Sequence, residues 1–252
     1  MSRAEAGIRI QRRGVASWAT IDRPHRGNAL DGPAVERLTA WAREAGDDPE
    51  VRALVLTGSG SAFCAGADMA AGAPLLDDPD ALLAYIDRGR ELVRALREAS
   101  VPVIAAVNGV AFAGGFELVL AADVVVAARS ARLGDRHVRH GVVPGWGATV
   151  LLPERIGRRA ARLLLSGADV PADELREMGV VDVVIEDDQL TAEAERLVVE
   201  LAAADPAAQR RVLPLARGAW DEAAHDRERA ALAAHLATDE FRAAVRRFVG
   251  AG

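Results

Sequence analysis

Glu117 and His137 stand twenty residues apart within residues 107–149, VNGVAFAGGFELVLAADVVVAARSARLGDRHVRHGVVPGWGAT. A carboxylate and an imidazole suit proton exchange near neutral pH. The imidazole, with an ordinary pKa of about 6.5, can give a proton or take one. Gly114-Gly115 precedes the glutamate and opens the helical pattern Phe116-Glu117-Leu118-Val119-Leu120. Amides at such a helix start point outward, with the positive end of the helix dipole behind them, and can hold a developing oxyanion. Donor, carboxylate and imidazole together make an acid–base site. Without chemistry, Glu117 would only stabilise its helix dipole, worth under about 1 kcal/mol, and His137 would be an ordinary loop histidine.

The neighbouring residues add less. If the segment is extended, Asp135 shares a side with His137 and His140 faces the other way. Asp135 is expected to cap the loop or face solvent, with orientation of His137 as the alternative. Apart from His137 and His140 the five histidines have no close metal-ligand spacing, so no metal site is expected. No serine sits in a Gly-x-Ser-x-Gly context. Residues 58–66 are no dinucleotide fingerprint, because Phe63 stands where a third glycine belongs. Nucleotide binding there is the weakest reading. Cys64, the single cysteine, reads as a small buried hydrophobe.

The elements that must position these groups follow from periodicity. Residues 8–10 and 15–21 alternate as a hairpin turning near Arg13-Gly14. A helix is expected over 31–45, capped by Asp31 with Pro33 in its first turn. Buried strands are expected at 51–57, 103–107, 124–127 and 180–185. Residues 58–61 form a turn, 69–80 a mobile loop rich in Ala, Gly, Pro and Asp, and 81–99 a long amphipathic helix. His137 lies on a loop. Pro144-Gly145-Trp146-Gly147 turns into helices over about 148–166. From 189 onward only helices are expected, with a break at Asp205-Pro206. Strands alternating with helices indicate an α/β fold. The boundary falls near 190, giving a core over 1–190 and a helical region over 191–252. That region is too small for its own core and must pack on the body or on a neighbouring subunit.

The chain of 252 residues is half hydrophobic and 27% charged, with a formal net charge of -6. This composition argues against nucleic acid as a partner. No apolar run reaches membrane-spanning length, and the N-terminus lacks an apolar signal core. With one cysteine no disulfide framework forms within the chain. A cytoplasmic protein is expected.

Several motifs in order resemble the crotonase (enoyl-CoA hydratase/isomerase) superfamily. They are Asn28-Ala29-Leu30, LTGSGSAFCAGAD at 56–68, PVIAAVNGVAFAGGFELVLAAD at 102–123, GVVPGWGAT at 141–149, Leu-Leu-Ser-Gly at 164–167, and Gly179-Val180-Val181. The resemblance implies a spiral of ββα turns with an all-helical C-terminal trimerisation region, and a homotrimer or dimer of trimers. It implies an acyl-CoA thioester substrate, with coenzyme A as carrier and no other cofactor. By motif position the thioester oxygen would be held by the amides of Ala67 and Gly114. His25 and Arg26 lie where such proteins place basic residues near CoA phosphates. Ala29, Ala65, Asp68, Met69, Phe112, Gly115, Arg136 and Trp146 would line the substrate path, Trp146 by packing beside the acyl pocket.

Glu117 matches one of the two glutamates that the family's hydratases use. The second position is His137 here, Arg136 replaces the proline before it, and Ala113 replaces the first of three glycines. The first expectation is addition of water across a 2-enoyl-CoA, with Glu117 as base and His137 as donor. Because an imidazole cannot copy a carboxylate's shape and negative charge, isomerisation or hydrolysis of a β-dicarbonyl or thioester is the alternative. A non-catalytic acyl-CoA-binding protein is the third.

Overall fold

The computed structural model describes residues 5–250. The alternating opening segment forms β1 (Ile8–Arg13) and β2 (Ala16–Ile21), paired antiparallel with Arg13 opposite Ala16. Helix α1 (Gly32–Asp47) starts as expected. The Asp31 carboxylate accepts the Ala34 amide, and Pro33 sits in the first turn, where no amide is needed.

From there one pattern repeats: a strand in a long sheet, a short strand in a second sheet, then helix. β3 (Ala53–Gly58) and β4 (Ala62–Cys64) lead to α2 (Met69–Gly72) and α3 (Pro79–Glu98). β5 (Val103–Val107) and β6 (Val110–Phe112) lead to α4 (Gly114–Ala121). β7 (Val124–Ala128) and β8 (Arg132–Gly134) lead to α5 (Ala148–Ile156) and α6 (Ala160–Ser166). β9 (Val170–Pro171), α7 (Ala172–Met178) and β10 (Val183–Ile185) complete both sheets. The long sheet has the order β1-β2-β3-β5-β7-β10, parallel beyond the hairpin. The second has the order β4-β6-β8-β9, with only β9 antiparallel. This is a ββα spiral. Strands such as β5, buried at all five residues, read as continuous apolar runs because helices cover both faces.

The chain then runs through α8 (Leu190–Ala202), α9 (Pro206–Arg217), α10 (Glu222–Leu236) and α11 (Asp239–Gly250). Helix α8 packs on β3, β5 and β7 of the long sheet. Helix α10 lies on α3 and α5, and α11 on α2.

Three expectations are corrected. Residues 69–80 are not a loop throughout. The Asp68 carboxylate accepts the Ala70 and Ala71 amides and starts α2, a 3-10 turn follows at Ala73–Leu75, and α3 begins at Pro79 on an Asp78 cap. The last strand is shorter than 180–185, because the amides of Val180 and Val181 go to the Leu175 carbonyl and close the end of α7. His137 opens a 3-10 helix, His137–His140, flanked by left-handed Arg136 (φ 53°) and Gly141 (φ 66°).

Candidate active site

Helix α4 is buried along its whole length, so Glu117 puts a carboxylate into the core. A buried charge needs partners. Glu117 Oε1 accepts the amides of Trp146 and Ala148, both at 2.9 Å. These amides stand at the start of α5, the positive end of its dipole. The next amide, of Thr149, donates to Glu228 from α10 at 2.9 Å. One helix start therefore anchors two carboxylates. Glu117 Oε2 is buried and has no hydrogen-bond partner. Burial pushes the Glu117 pKa up to about 8. His137 pulls it down, while Glu228 and Asp135 push it further up.

His137 Nε2 lies 4.0 Å from that free Glu117 oxygen. On the other side of the ring, Nδ1 is 2.9 Å from Asp135 Oδ1. Asp135 is fully buried, so the expectation of a capping or solvent-facing residue is corrected. It orients the imidazole and leaves Nε2 toward Glu117. Burial works against the imidazolium. The charge and hydrogen bond of Asp135, with the charge of Glu117, outweigh it and raise the His137 pKa to about 9. Asp135 thus favours the imidazolium, and more so once Glu117 is ionised.

The pair opens on a cavity of about 280 Å³. Ala65, Ala67, Met69, Phe112, Gly114, Arg136 and Trp146 line it. Among the described residues, the amides of Ala67 and Gly114 donate to no protein group. The two segments meet closely. A side-chain carbon added at Gly66 would lie 2.9 Å from the Gly114 nitrogen, and Gly66 has φ 101°. The Trp146 indole, buried at 3% exposure, fits only because two of its neighbours lack side chains. An added carbon at Gly114 would stand 2.3 Å from the ring, and at Gly89 on α3 1.8 Å.

Other expected residues lie off the cavity wall. Asp68 is buried, caps α2 and pairs with Arg23 at 3.1 Å. Gly115 backs onto Cys64, where an added carbon would meet the Cys64 carbonyl at 1.9 Å. Ala29 sits in the preceding loop, its amide bonded to the Arg26 carbonyl. His25 and Arg26 are exposed on the 3-10 turn Pro24–Arg26, and Gly27 just beyond it abuts Ala65. Asn28 is buried and donates to the Ser59 and Ala62 carbonyls, so its motif serves the loop framework. Cys64 is buried, and burial pushes its thiol up to about 12.

The sequence reading missed Ile86 of α3, Val245 of α11 and His140, all on the cavity wall. The first two are ordinary apolar helix residues, and nothing local marks them. For His140 and Asp135 the signal was present, in the Asp-x-His-x-x-His spacing.

A ββα spiral whose successive turns bring two unengaged amides, of Ala67 and Gly114, beside a buried acid–base pair defines a crotonase-fold enzyme. The chain belongs to the enoyl-CoA hydratase/isomerase family, whose model matches residues 11–249. It is 37% identical to the 1,2-epoxyphenylacetyl-CoA isomerase of Escherichia coli, over 73% of this chain and 71% of that protein. It is 36% identical to the crotonyl-CoA hydratase of Syntrophomonas wolfei, over 70% and 68% of the two chains. An enoyl-CoA hydratase/isomerase structure from Mycobacterium paratuberculosis superposes with a TM-score of 0.87 at 30% identity, covering 96% of this chain and 98% of that one.

Proposed function

We propose that the enzyme acts on acyl-CoA thioesters and moves a proton between carbons of the acyl chain, as an enoyl-CoA isomerase does. The thioester oxygen would accept the amides of Ala67 and Gly114, which favour enolate charge over the neutral carbonyl. Loss of one such donor typically costs roughly 3–4 kcal/mol of barrier. Ionised Glu117 takes a proton from Cα of a 3-enoyl thioester. The electron pair spreads into a dienolate, and the His137 imidazolium gives its proton to Cγ, leaving a 2-enoyl thioester. The proton on Glu117 then returns to His137 across their 4.0 Å separation. Atoms and charge balance with no water consumed.

The observation that carries this reading is the Asp135–His137 bond. It holds the Nδ1 proton and favours the imidazolium, and in that protonated ring Nε2 is a donor toward Glu117 and the cavity. A water held there has its oxygen lone pair engaged by an N–H, which weakens it as a nucleophile. A second carboxylate would instead accept from water and strengthen it. Hydration is the second reading, supported by the similarity to a crotonyl-CoA hydratase.

Incubation with 3-hexenoyl-CoA and, separately, crotonyl-CoA distinguishes them. The expected result is conversion of the 3-enoyl to the 2-enoyl thioester with little 3-hydroxyacyl product. Rapid 3-hydroxybutyryl-CoA formation without isomerisation would overturn it in favour of hydration.

The proposal includes a homotrimeric assembly, or a dimer of trimers, in which the helices beyond residue 190 take part, and a cytoplasmic location. Large apolar side chains left exposed on α6, α8 and α9 support the assembly: Leu165, Val199, Val212 and Leu215. No helix among the described residues is long and apolar enough to cross a membrane. His25 and Arg26 are proposed to meet CoA phosphates, since both are exposed on the turn leading into Gly27, which lies against Ala65 of the cavity wall.

A further inference from the structure

The acid–base reading does not use the cation that shares its cavity. Arg136 lies between Asp135 and His137 with φ 53°, a left-handed backbone that turns its side chain to the cavity wall. Its guanidinium carbon sits 4.4 Å from the Phe112 ring centroid. Its Nε is buried and has no hydrogen-bond partner. Among the described residues its side chain makes no ion pair. Asp135, the nearest acid in sequence, is bonded to His137. Arg139, three residues on, differs. It reaches the Ser166 carbonyl at 3.3 Å and Asp169 at 3.5 Å, away from the cavity.

His140 lines the same cavity. Burial lowers its pKa, and so do the positive charges of Arg136, His137 and Arg139. Apart from His140 and the Glu117–His137 pair, in which Glu117 faces the imidazole, the cavity wall is apolar and includes Phe112, Val142, Val143 and Trp146. A chain of net charge -6 thus keeps an unmatched guanidinium in a small, largely apolar pocket. A half-desolvated cation without an anion is unfavourable in the empty protein, and a ligand that supplies the anion removes that cost. The planar fork of arginine matches a carboxylate with two parallel hydrogen bonds.

We infer that the acyl pocket is built for an acyl group that carries a carboxylate at its far end, bound by Arg136 with His140 beside it. This rests on the acyl-CoA reading above and names the substrate class for it. With the thioester oxygen assigned to the Ala67 and Gly114 amides, the carboxylate falls to Arg136, whose guanidinium stacks on Phe112 in the same cavity. The anion is therefore a second recognition point, separate from the oxygen that develops charge in the reaction. The phosphates of CoA are the other source of the same chemistry, and the test separates them.

The test measures binding by calorimetry for glutaryl-, adipyl- and pimelyl-CoA, each against the neutral thioester of equal carbon count (valeryl-, hexanoyl- and heptanoyl-CoA), and for free CoA. Saturated chains keep the measurement independent of turnover. Wild type is expected to favour at least one diacid thioester tenfold or more over its neutral match. Arg136→Met should bring that ratio to within twofold of one, and Arg136→Lys should keep part of it. Circular dichroism of both variants guards against misfolding, and the lysine variant supplies the comparison if Arg136→Met does not fold. Equal binding of diacid and neutral thioesters at every length overturns the inference, as does a preference that survives Arg136→Met. A uniform loss across all ligands, free CoA included, also overturns it and assigns Arg136 to the CoA phosphates. Isomerisation without a diacid preference removes only the subsite, and a diacid preference without isomerisation removes only the proposed reaction. No binding of any CoA compound removes both.

Discussion

At the scale of single residues the site depends on three acids of unequal freedom. Asp135 is committed to His137, and Glu228 to the Thr149 amide and hydroxyl. Asp135 Oδ2 and Glu117 Oε2 are both buried without a hydrogen-bond partner, and the Glu117 oxygen is the one 4.0 Å from His137 Nε2. The proposed reaction needs Glu117 ionised and His137 protonated. The ionised fraction of Glu117 rises as pH passes its value of about 8, and the protonated fraction of His137 falls as pH passes about 9. The kcat/KM profile should therefore be a narrow bell with limbs near those values. Asp135→Asn keeps the hydrogen bond and removes the charge. Burial then dominates at His137, its pKa drops, and the falling limb moves to lower pH. Once it passes below the rising limb, the active form is scarce at every pH, by about tenfold for each unit of crossing. Initial rates for wild type and Asp135→Asn between pH 6 and 10 check this. An unmoved falling limb in the variant would mean that the limb does not report His137.

At the scale of elements, periodicity exposed the long sheet and hid the second one. β5 and β7 are apolar runs of five residues, long enough to stand out. β4, β6 and β8 have three residues each and β9 two, too few for any period to show. The acid at α4 was legible from its helix-start context, and its partners were not. Trp146 and Ala148 lie about thirty residues further on, and nothing local says that their amides face a carboxylate. The entry to α4 carries a visible strain. Ala113 has φ 50° and ψ -123°, a conformation suited to glycine, and the family's glycine is what it replaces. Such a backbone costs of order 1–3 kcal/mol for a residue with a side chain, against roughly 0.5–1 kcal/mol of extra chain entropy lost by glycine. Ala113→Gly should thus stabilise the protein by about 1 kcal/mol, raising Tm by roughly 2–4 °C for a chain of this size. Thermal unfolding followed by circular dichroism decides it. An unchanged or lower Tm would show that the surrounding contacts compensate the alanine.

At the scale of the whole molecule, the last helices divide their work. α10 carries Glu228 to the start of α5, and α11 brings Val245 to the cavity wall, so both complete the site of their own chain. The expectation that this region packs on the body or on a neighbour came from its size, about sixty residues. Which face goes inward depends on tertiary contacts that no local pattern carries. The outward faces remain apolar in places. On α9, Val212 and Leu215 are three residues apart and thus on one side, at 58% and 81% exposure. Leu165 on α6 and Val199 on α8 are exposed at 80% and 70%. Single exposed apolar residues are common, but a pair on one helix face fits a subunit contact. Light scattering after gel filtration should give wild type a mass near three or six times 26.6 kDa. A Val212→Glu, Leu215→Glu double variant should shift to smaller species, because two carboxylates cannot be buried in an apolar interface without partners. Neither residue lines the cavity, so the variant monomer would still hold the Glu117–His137 pair. A monomeric wild type would end the assembly proposal, and a double variant that stays trimeric would move the interface off α9.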